Sequence, residues 1–304
     1  MREKIKIVIT DSGLGGLNVA AKLVGMLKNE PVFPTPELIF VNALPETNKG
    51  YNTMPHMNKK IITFNRVLEG IEHHFTPVII AIACNTLSAI VDRTKYYKDN
   101  QNKIINIIDI AVEMLFQNIY DIWKANLIIL GTETTILSGV YQNHFKKAGI
   151  NKKQVIPTIC SGLASAIELD SQSESTRQII DRCISVAFER IENRQNKSYV
   201  LLACTHYGYV ANQIYNSFQK KGLTNFELIN LNDYLLIKLF DYIKLKMKLS
   251  PSSIAGYDNE PGIKVFSRCR ILPGEIGSVS RLLRYVSIET SSALKNYTLK
   301  KDLF

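Results

Sequence analysis

The sequence predicts an α/β fold of two pseudo-symmetric α/β domains, each with a mainly parallel sheet flanked by helices, and a ligand cleft between them. The first observation is alternation. Short β-rich runs at 5–10, 38–41, 78–83, 104–108, 127–131, 154–157, 199–203, 226–231 and 263–266 are separated by longer segments, as crossover-connected parallel strands require. The second is an internal echo. Each half opens with an apolar run closing on small polar residues, Ile-Thr-Asp11-Ser12-Gly in one and Leu-Gly-Thr132-Glu-Thr in the other, and each later carries a run closing on Ala-Cys. Asp11 lies 73 residues before Cys84, and Thr132 lies 72 before Cys204. The two cysteines therefore end equivalent strands, at the carboxyl edge where open parallel sheets bind ligands.

Between the strands, residues 57–75, 138–148 and 175–192 carry apolar side chains near a 3.6-residue period and read as amphipathic helices. The stretch 250–261, with Pro251, Gly256 and Pro261, reads as a surface connection. At 304 residues, 46% hydrophobic and 21% charged, the chain can bury two cores and is not a disordered protein. No apolar run is long enough to span a bilayer, and the chain is expected in the cytoplasm with no membrane partner. Its five cysteines, 84, 160, 183, 204 and 269, are odd in number and lack C-x-x-C pairs; they read as free thiols rather than a disulfide framework or zinc knuckle. The formal charge of +10 is spread over scattered lysines without interleaved aromatics, which favours a solvated surface or an anionic small molecule over nucleic acid.

Cys84 and Cys204 are followed by Asn85-Thr86 and Thr205-His206, polar groups at expected helix N-termini, where N–H groups bind carboxylate and lower a thiol's pKa. Cys160, Cys183 and Cys269 lack that context and read as structural. Asp11-Ser12-Gly13-Leu14-Gly15-Gly16 fails the dinucleotide pattern because Asn18 holds its last glycine position. Asp11 then reads either as a helix cap or as a carboxylate beside a thiol or a substrate ammonium. His206 stands two residues from Cys204, close enough to tune its protonation, while Cys-x-His alone is too sparse for a metal. His56, His73, His74 and His144 are expected to face solvent.

These motifs resemble the glutamate racemase family, within the wider aspartate/glutamate racemase superfamily. The resemblance runs over most of the chain: the Asp11-Ser12 loop, Ala83-Cys84-Asn85-Thr86, Gly131-Thr132 through Thr135 to Tyr141, the segment from Cys160 to Glu168, and Ala203-Cys204-Thr205-His206-Tyr207. It implies Cys84 and Cys204 as the proton carriers, Asp11 assisting the first and His206 with Glu168 the second. It further implies Ser12, Asn85, Thr86, Thr135, Thr205, Tyr51 and Asn52 as substrate contacts, and no cofactor or metal. The domains it implies are 1–107 with 226–304, and 108–225. The implied substrate is an acidic amino acid, the implied role the supply of D-glutamate for bacterial peptidoglycan, and a homodimer is compatible with it.

The chain departs from the family pattern in four places. Asn42 stands where Asp is usual, Gly50-Tyr51-Asn52-Thr53 replaces a Pro-Tyr-Gly, Gly208 replaces a proline, and Ile229-Asn230-Leu231-Asn232 replaces Ile-Asp-Ser. Two readings beside glutamate racemisation therefore stay open: racemisation of aspartate or another acidic amino acid, and a non-catalytic binding or regulatory homologue.

Overall fold

A computed structural model describes residues 5–30, 35–47, 49–248 and 261–304; the predicted connection at 250–261 lies outside these except for Pro261. The strands are β1 (Lys6–Asp11), β2 (Glu37–Asn42), β3 (Ile79–Ile82), β4 (Ile104–Asn106), β5 (Asn126–Gly131), β6 (Val155–Ile159), β7 (Ser198–Ala203), β8 (Phe226–Asn230), β9 (Ile263–Ser267) and β10 (Thr298–Leu299). They form a six-stranded sheet, β10-β9-β2-β1-β3-β4, and a four-stranded sheet, β6-β5-β7-β8. Every pairing within them is parallel. The order second, first, third, fourth occurs in both, with β5 to β8 repeating β1 to β4, so the internal echo is a repeat of topology. Cys84 follows β3 and Cys204 follows β7, equivalent places.

The strands are nearly continuous apolar runs because both faces of each sheet are covered. In β1, Ile7 and Ile9 face one core while Val8 faces another. The helix Met57–Phe75 lays Phe64, Val67, Leu68, Ile71 and Phe75 against Val8, Ile39, Val41, Ile80 and Ile82. Each such side chain contributes about 1.5–3 kcal/mol by leaving water, against ~0–1 for an exposed ion pair, so this stripe fixes the helix. One cluster runs through both halves, joining Ile7, Ile9 and Ala83 to Leu127, Ile129, Leu201 and the inner face of the helix Leu231–Lys248.

Several expectations are corrected. Residues 107 and 108 leave the predicted fourth strand and open the helix Ile107–Asn118, because Asn106 caps it, its side chain accepting from the Asp109 N–H. The strand 226–230, expected in the first domain, pairs with β7 at the edge of the second sheet; the chain returns to the first sheet only with β9. Cys160 and Cys183 are not free: they form a disulfide across 23 residues, their Cα atoms 5.4 Å apart, within bridging range. It joins the start of the loop before the helix Leu163–Asp170 to the helix Glu174–Glu189. Cys84, Cys204 and Cys269 are free thiols. Among the described residues no helix is long and apolar enough to cross a membrane.

The segment after β10 crosses the helix Met57–Phe75 at Gly70, where an added Cβ would stand 1.9 Å from the Leu303 carbonyl oxygen. Leu303 is fully buried in the core below that helix. Gly70→Ala is therefore expected to lift residues 300–304 and destabilise the protein by about 1–3 kcal/mol, measured by denaturant unfolding against a control such as Gly25→Ala, whose added Cβ meets nothing within 4 Å.

Candidate active site

The loop after β1 carries Asp11 and Ser12 to the carboxyl edge of both sheets. Its glycines are there for close approach. A Cβ on Gly15 would stand 2.3 Å from Thr205 Oγ1 and 2.6 Å from His206 Nδ1, and one on Gly13 would stand 2.7 Å from Glu168 Oε1. Only a loop without side chains at these positions brings the first half this near the second.

Asp11 is fully buried. Its Oδ1 accepts from the Gly13 N–H at 3.1 Å and its Oδ2 from the Thr205 hydroxyl at 2.8 Å. Ser12 Oγ lies 3.0 Å from Cys84 Sγ. Ser12 thus touches Cys84 while its chain neighbour Asp11 bonds Thr205, the residue beside Cys204. Across it Glu168, on the helix Leu163–Asp170, uses one oxygen twice: Oε1 accepts from the Leu14 N–H at 2.7 Å and pairs with His206 Nε2 at 2.6 Å. The other ring nitrogen, Nδ1, is 3.6 Å from Cys204 Sγ.

Burial alone would drive Glu168 up and His206 down, but each holds the other charged. Glu168 sits below its usual range because of the His206 charge and hydrogen bond, with the Leu14 N–H adding to it. His206 is held well above 6.5 by the Glu168 charge and by its bonds to Cys204 and Glu168. The pair is therefore a carboxylate and an imidazolium, and the ring presents Nδ1–H to the Cys204 sulfur. Cys84 has the opposite surroundings: burial first, then the Asp11 carboxylate, push its thiol up. This corrects the expectation that a helix N-terminus lowers it. The helix after Cys84, Asn85–Ser88, has four residues, and the turn after Cys204, Thr205–Val210, is a 3-10 helix; neither has the dipole of a full helix.

The remaining sequence-predicted residues divide into engaged and unengaged. Thr86 Oγ1 is 2.8 Å from Thr132 Oγ1, which is 3.0 Å from Thr135 Oγ1. Asn85 is buried, its Oδ1 accepting from Tyr141 Oη at 2.6 Å, while its Nδ2 has no partner. Tyr51 is buried with an unpartnered hydroxyl, near enough for Cys84 to raise its pKa further after burial. Asn52 is exposed, and its Oδ1 accepts from the Thr134 N–H and hydroxyl at 3.3 and 2.7 Å. Sequence reasoning named Thr132 and Tyr141 as motif residues without a site role, and missed Thr134 and Lys60, whose Nζ donates to Thr134 Oγ1 at 2.7 Å. It also missed Asn232, whose Nδ2 donates to the Thr205 carbonyl at 3.0 Å.

Two departures from the family pattern meet in space: the room beside Gly208 is taken by the Asn230 amide, 3.2 Å from where a Cβ would stand. Asn42, where Asp is usual, is buried and accepts from the Leu44 N–H at 3.0 Å, turning the chain out of β2. Among the described residues no three His, Cys, Asp or Glu side chains are grouped to hold a metal ion.

No protein-family model matches the chain. A glutamate racemase of Staphylococcus aureus is 26% identical over 216 residues, covering 71% of this chain and 74% of that protein. Among solved structures, a glutamate racemase isoform from Bacillus anthracis superimposes with a TM-score of 0.71 at 19% identity, covering 94% of this chain and 96% of that one. The glutamate racemase of Francisella tularensis, solved with D-glutamate, superimposes with a TM-score of 0.69 at 19% identity, covering 93% and 95%. The structural likenesses show the fold of two α/β domains, and the sequence is similar, at 26% identity over 71% of the chain, to that of a glutamate racemase, an isomerase.

Proposed function

We propose that the chain is a cofactor-independent racemase that interconverts D- and L-glutamate by proton transfer between Cys84 and Cys204. The observation that carries this reading is the placement of two buried free thiols after the equivalent strands β3 and β7, with the Asp11-Ser12 segment touching Cys84 through Ser12 and the neighbour of Cys204 through Thr205. Inverting a stereocentre calls for a base on one face and an acid on the other, and two thiols from facing halves supply both. One sulfur takes the α-proton as thiolate. The other, as thiol, gives its proton to the opposite face of the carbanion, and the roles exchange in the reverse direction.

The surroundings sort the resting roles. Imidazolium beside Cys204 is complementary to a thiolate there, while burial and Asp11 keep Cys84 protonated. A substrate ammonium placed against Asp11 offsets the carboxylate charge that Cys84 feels, so binding prepares Cys84 to yield its proton. The unpartnered Asn85 Nδ2 and Tyr51 Oη, with Thr86 and Thr205 close by, are donors for a carboxylate and for the negative charge that develops at the α-carbon. Thr135 backs Thr86 through Thr132. In a bacterial cytoplasm such an enzyme would supply D-glutamate to peptidoglycan. Aspartate is the second reading, favoured by the altered Gly50-Tyr51-Asn52-Thr53 loop, and a racemisation assay on both amino acids decides between them.

In deuterated water, early product is expected to carry deuterium at the α-carbon while recovered substrate carries almost none, because the donating thiol exchanges with solvent and the abstracted proton stays on its own face. Cys84→Ala and Cys204→Ala are each expected to lower racemisation in both directions by at least about a thousandfold. Early labelling of recovered substrate, or near-normal turnover without Cys204, would sink the two-thiol assignment.

A second expectation concerns pH. Glu168→Gln removes the charge that raises His206 most, leaving burial opposed only by Cys204, so the imidazole pKa falls. The imidazolium is then lost at a lower pH as the solution is made alkaline. The alkaline limb of kcat/KM should move toward acid by about one pH unit or more, and an NMR titration of the His206 ring should move with it. An unmoved limb would mean that His206 is not the group being read.

A further inference from the structure

The helix Met57–Phe75 begins its buried stripe with a lysine. Lys60 is 8% exposed and stands four residues before Phe64, in register with Val67, Leu68 and Ile71. A lysine is rarely buried without a carboxylate partner. Lys60 has a neutral one, the Thr134 hydroxyl at 2.7 Å, and among the described residues no carboxylate lies within ion-pair distance of it. Burial pushes its pKa down and Glu133, further off, opposes this.

Its position is equally specific. Thr134 is held from the other side by Asn52, in the loop that departs from the family pattern. It is followed directly by Thr135, whose hydroxyl leads through Thr132 to Thr86, two residues from Cys84. The cation is thus tied, through Thr134, to the threonine segment whose Thr132 meets Thr86 on the Cys84 side. A ligand with its α-carbon between the sulfurs meets Asp11 at its ammonium and Asn85 at its α-carboxylate, and its side chain leads away from both.

We propose that Lys60 is the specificity-determining residue of the crevice, reading the distal carboxylate of an acidic amino acid, with the Thr134 hydroxyl only its resting partner. This rests on the acidic-amino-acid reading above and names the group that selects the acid over its amide. Lys60 leaves Thr134 in part or shares it when the carboxylate arrives, completing an ion pair in a place where water does not compensate the charge.

The experiment is calorimetric titration of the full chain with L-glutamate and L-glutamine, in the native protein and in Lys60→Met, Lys60→Arg and Thr134→Val. The native protein should bind glutamate more tightly, and Lys60→Met should lower the glutamate-to-glutamine affinity ratio about tenfold or more, as loss of a charge-assisted hydrogen bond does. Lys60→Arg should restore most of the ratio. Thr134→Val, which removes the hydroxyl and keeps the cation, should preserve the ratio, whereas a lysine that merely fastens Thr134 would make both variants fail alike; this arm stands even where Lys60→Met does not fold. An unchanged ratio in Lys60→Met, or a collapsed ratio in Thr134→Val, overturns the proposal. Glutamate binding without turnover would remove the racemase reading and leave this one, turnover with an unchanged ratio would do the reverse, and a native protein that binds neither amino acid removes both.

Discussion

One carboxylate oxygen organises the crevice. Glu168 Oε1 takes the Leu14 N–H from the first half and His206 Nε2 from the second, so the same atom seats the β1 loop, fixes the imidazole plane and closes the interface between the sheets. Hydrogen bonds to a charged group contribute about 1.5–3 kcal/mol each, but withdrawing both charges from water costs several kcal/mol per ion. On stability alone an apolar contact would serve as well. What an apolar contact lacks is direction: the ion pair turns Nδ1 toward Cys204, and that orientation is what the arrangement secures.

The glycines of the β1 loop follow from the same constraint. Glu168 and His206 can reach this loop only if Gly13 and Gly15 carry no side chain, since a Cβ at either would overlap them. A loop that looks like a phosphate cradle in sequence is thus used for close packing of protein on protein. Two of the polar bridges between the halves, Glu168 to Leu14 and Thr205 to Asp11, lie in the β1 loop, while the apolar cluster shared by β1, β5 and the helix Leu231–Lys248 joins the halves beneath. Apolar burial holds the halves together, and the bridges set how they face each other.

The two-fold pattern was legible because it is written twice. Strand runs closing on Ala-Cys at matching distances locate Cys84 and Cys204 from the sequence, and strict periodicity delimits the helix Met57–Phe75 residue for residue. Boundaries set by side-chain capping were not legible: Asn106 ends β4 earlier than its apolar continuation suggests. Nor was the two-residue strand β10, too short to leave a pattern. The Cys160–Cys183 bridge spans two elements with no spacing rule to announce it. Strand 226–230 sits in the second sheet because it pairs with β7, a contact invisible in linear order. Lys60 did leave a signal, a charged residue on the apolar stripe at the i, i+4, i+7, i+8 positions, which amphipathic averaging absorbs into the helix.

Equivalence of the two strands does not extend to the charges around them, and the difference suits the chemistry. A symmetric pair of thiols in one crevice would share their titration, with neither sulfur assigned a role. Here burial and Asp11 weigh on Cys84, and imidazolium faces Cys204, so the two sulfurs are not equivalent. The proposed racemisation runs both ways, which calls for a polarity that binding can relax. Asp11 is the group able to relax it, because its charge falls on Cys84 while its Oδ2 already belongs to the second half through Thr205. Under that proposal an ammonium at the carboxylate acts on Cys84, and a ligand without one leaves Cys84 as it was.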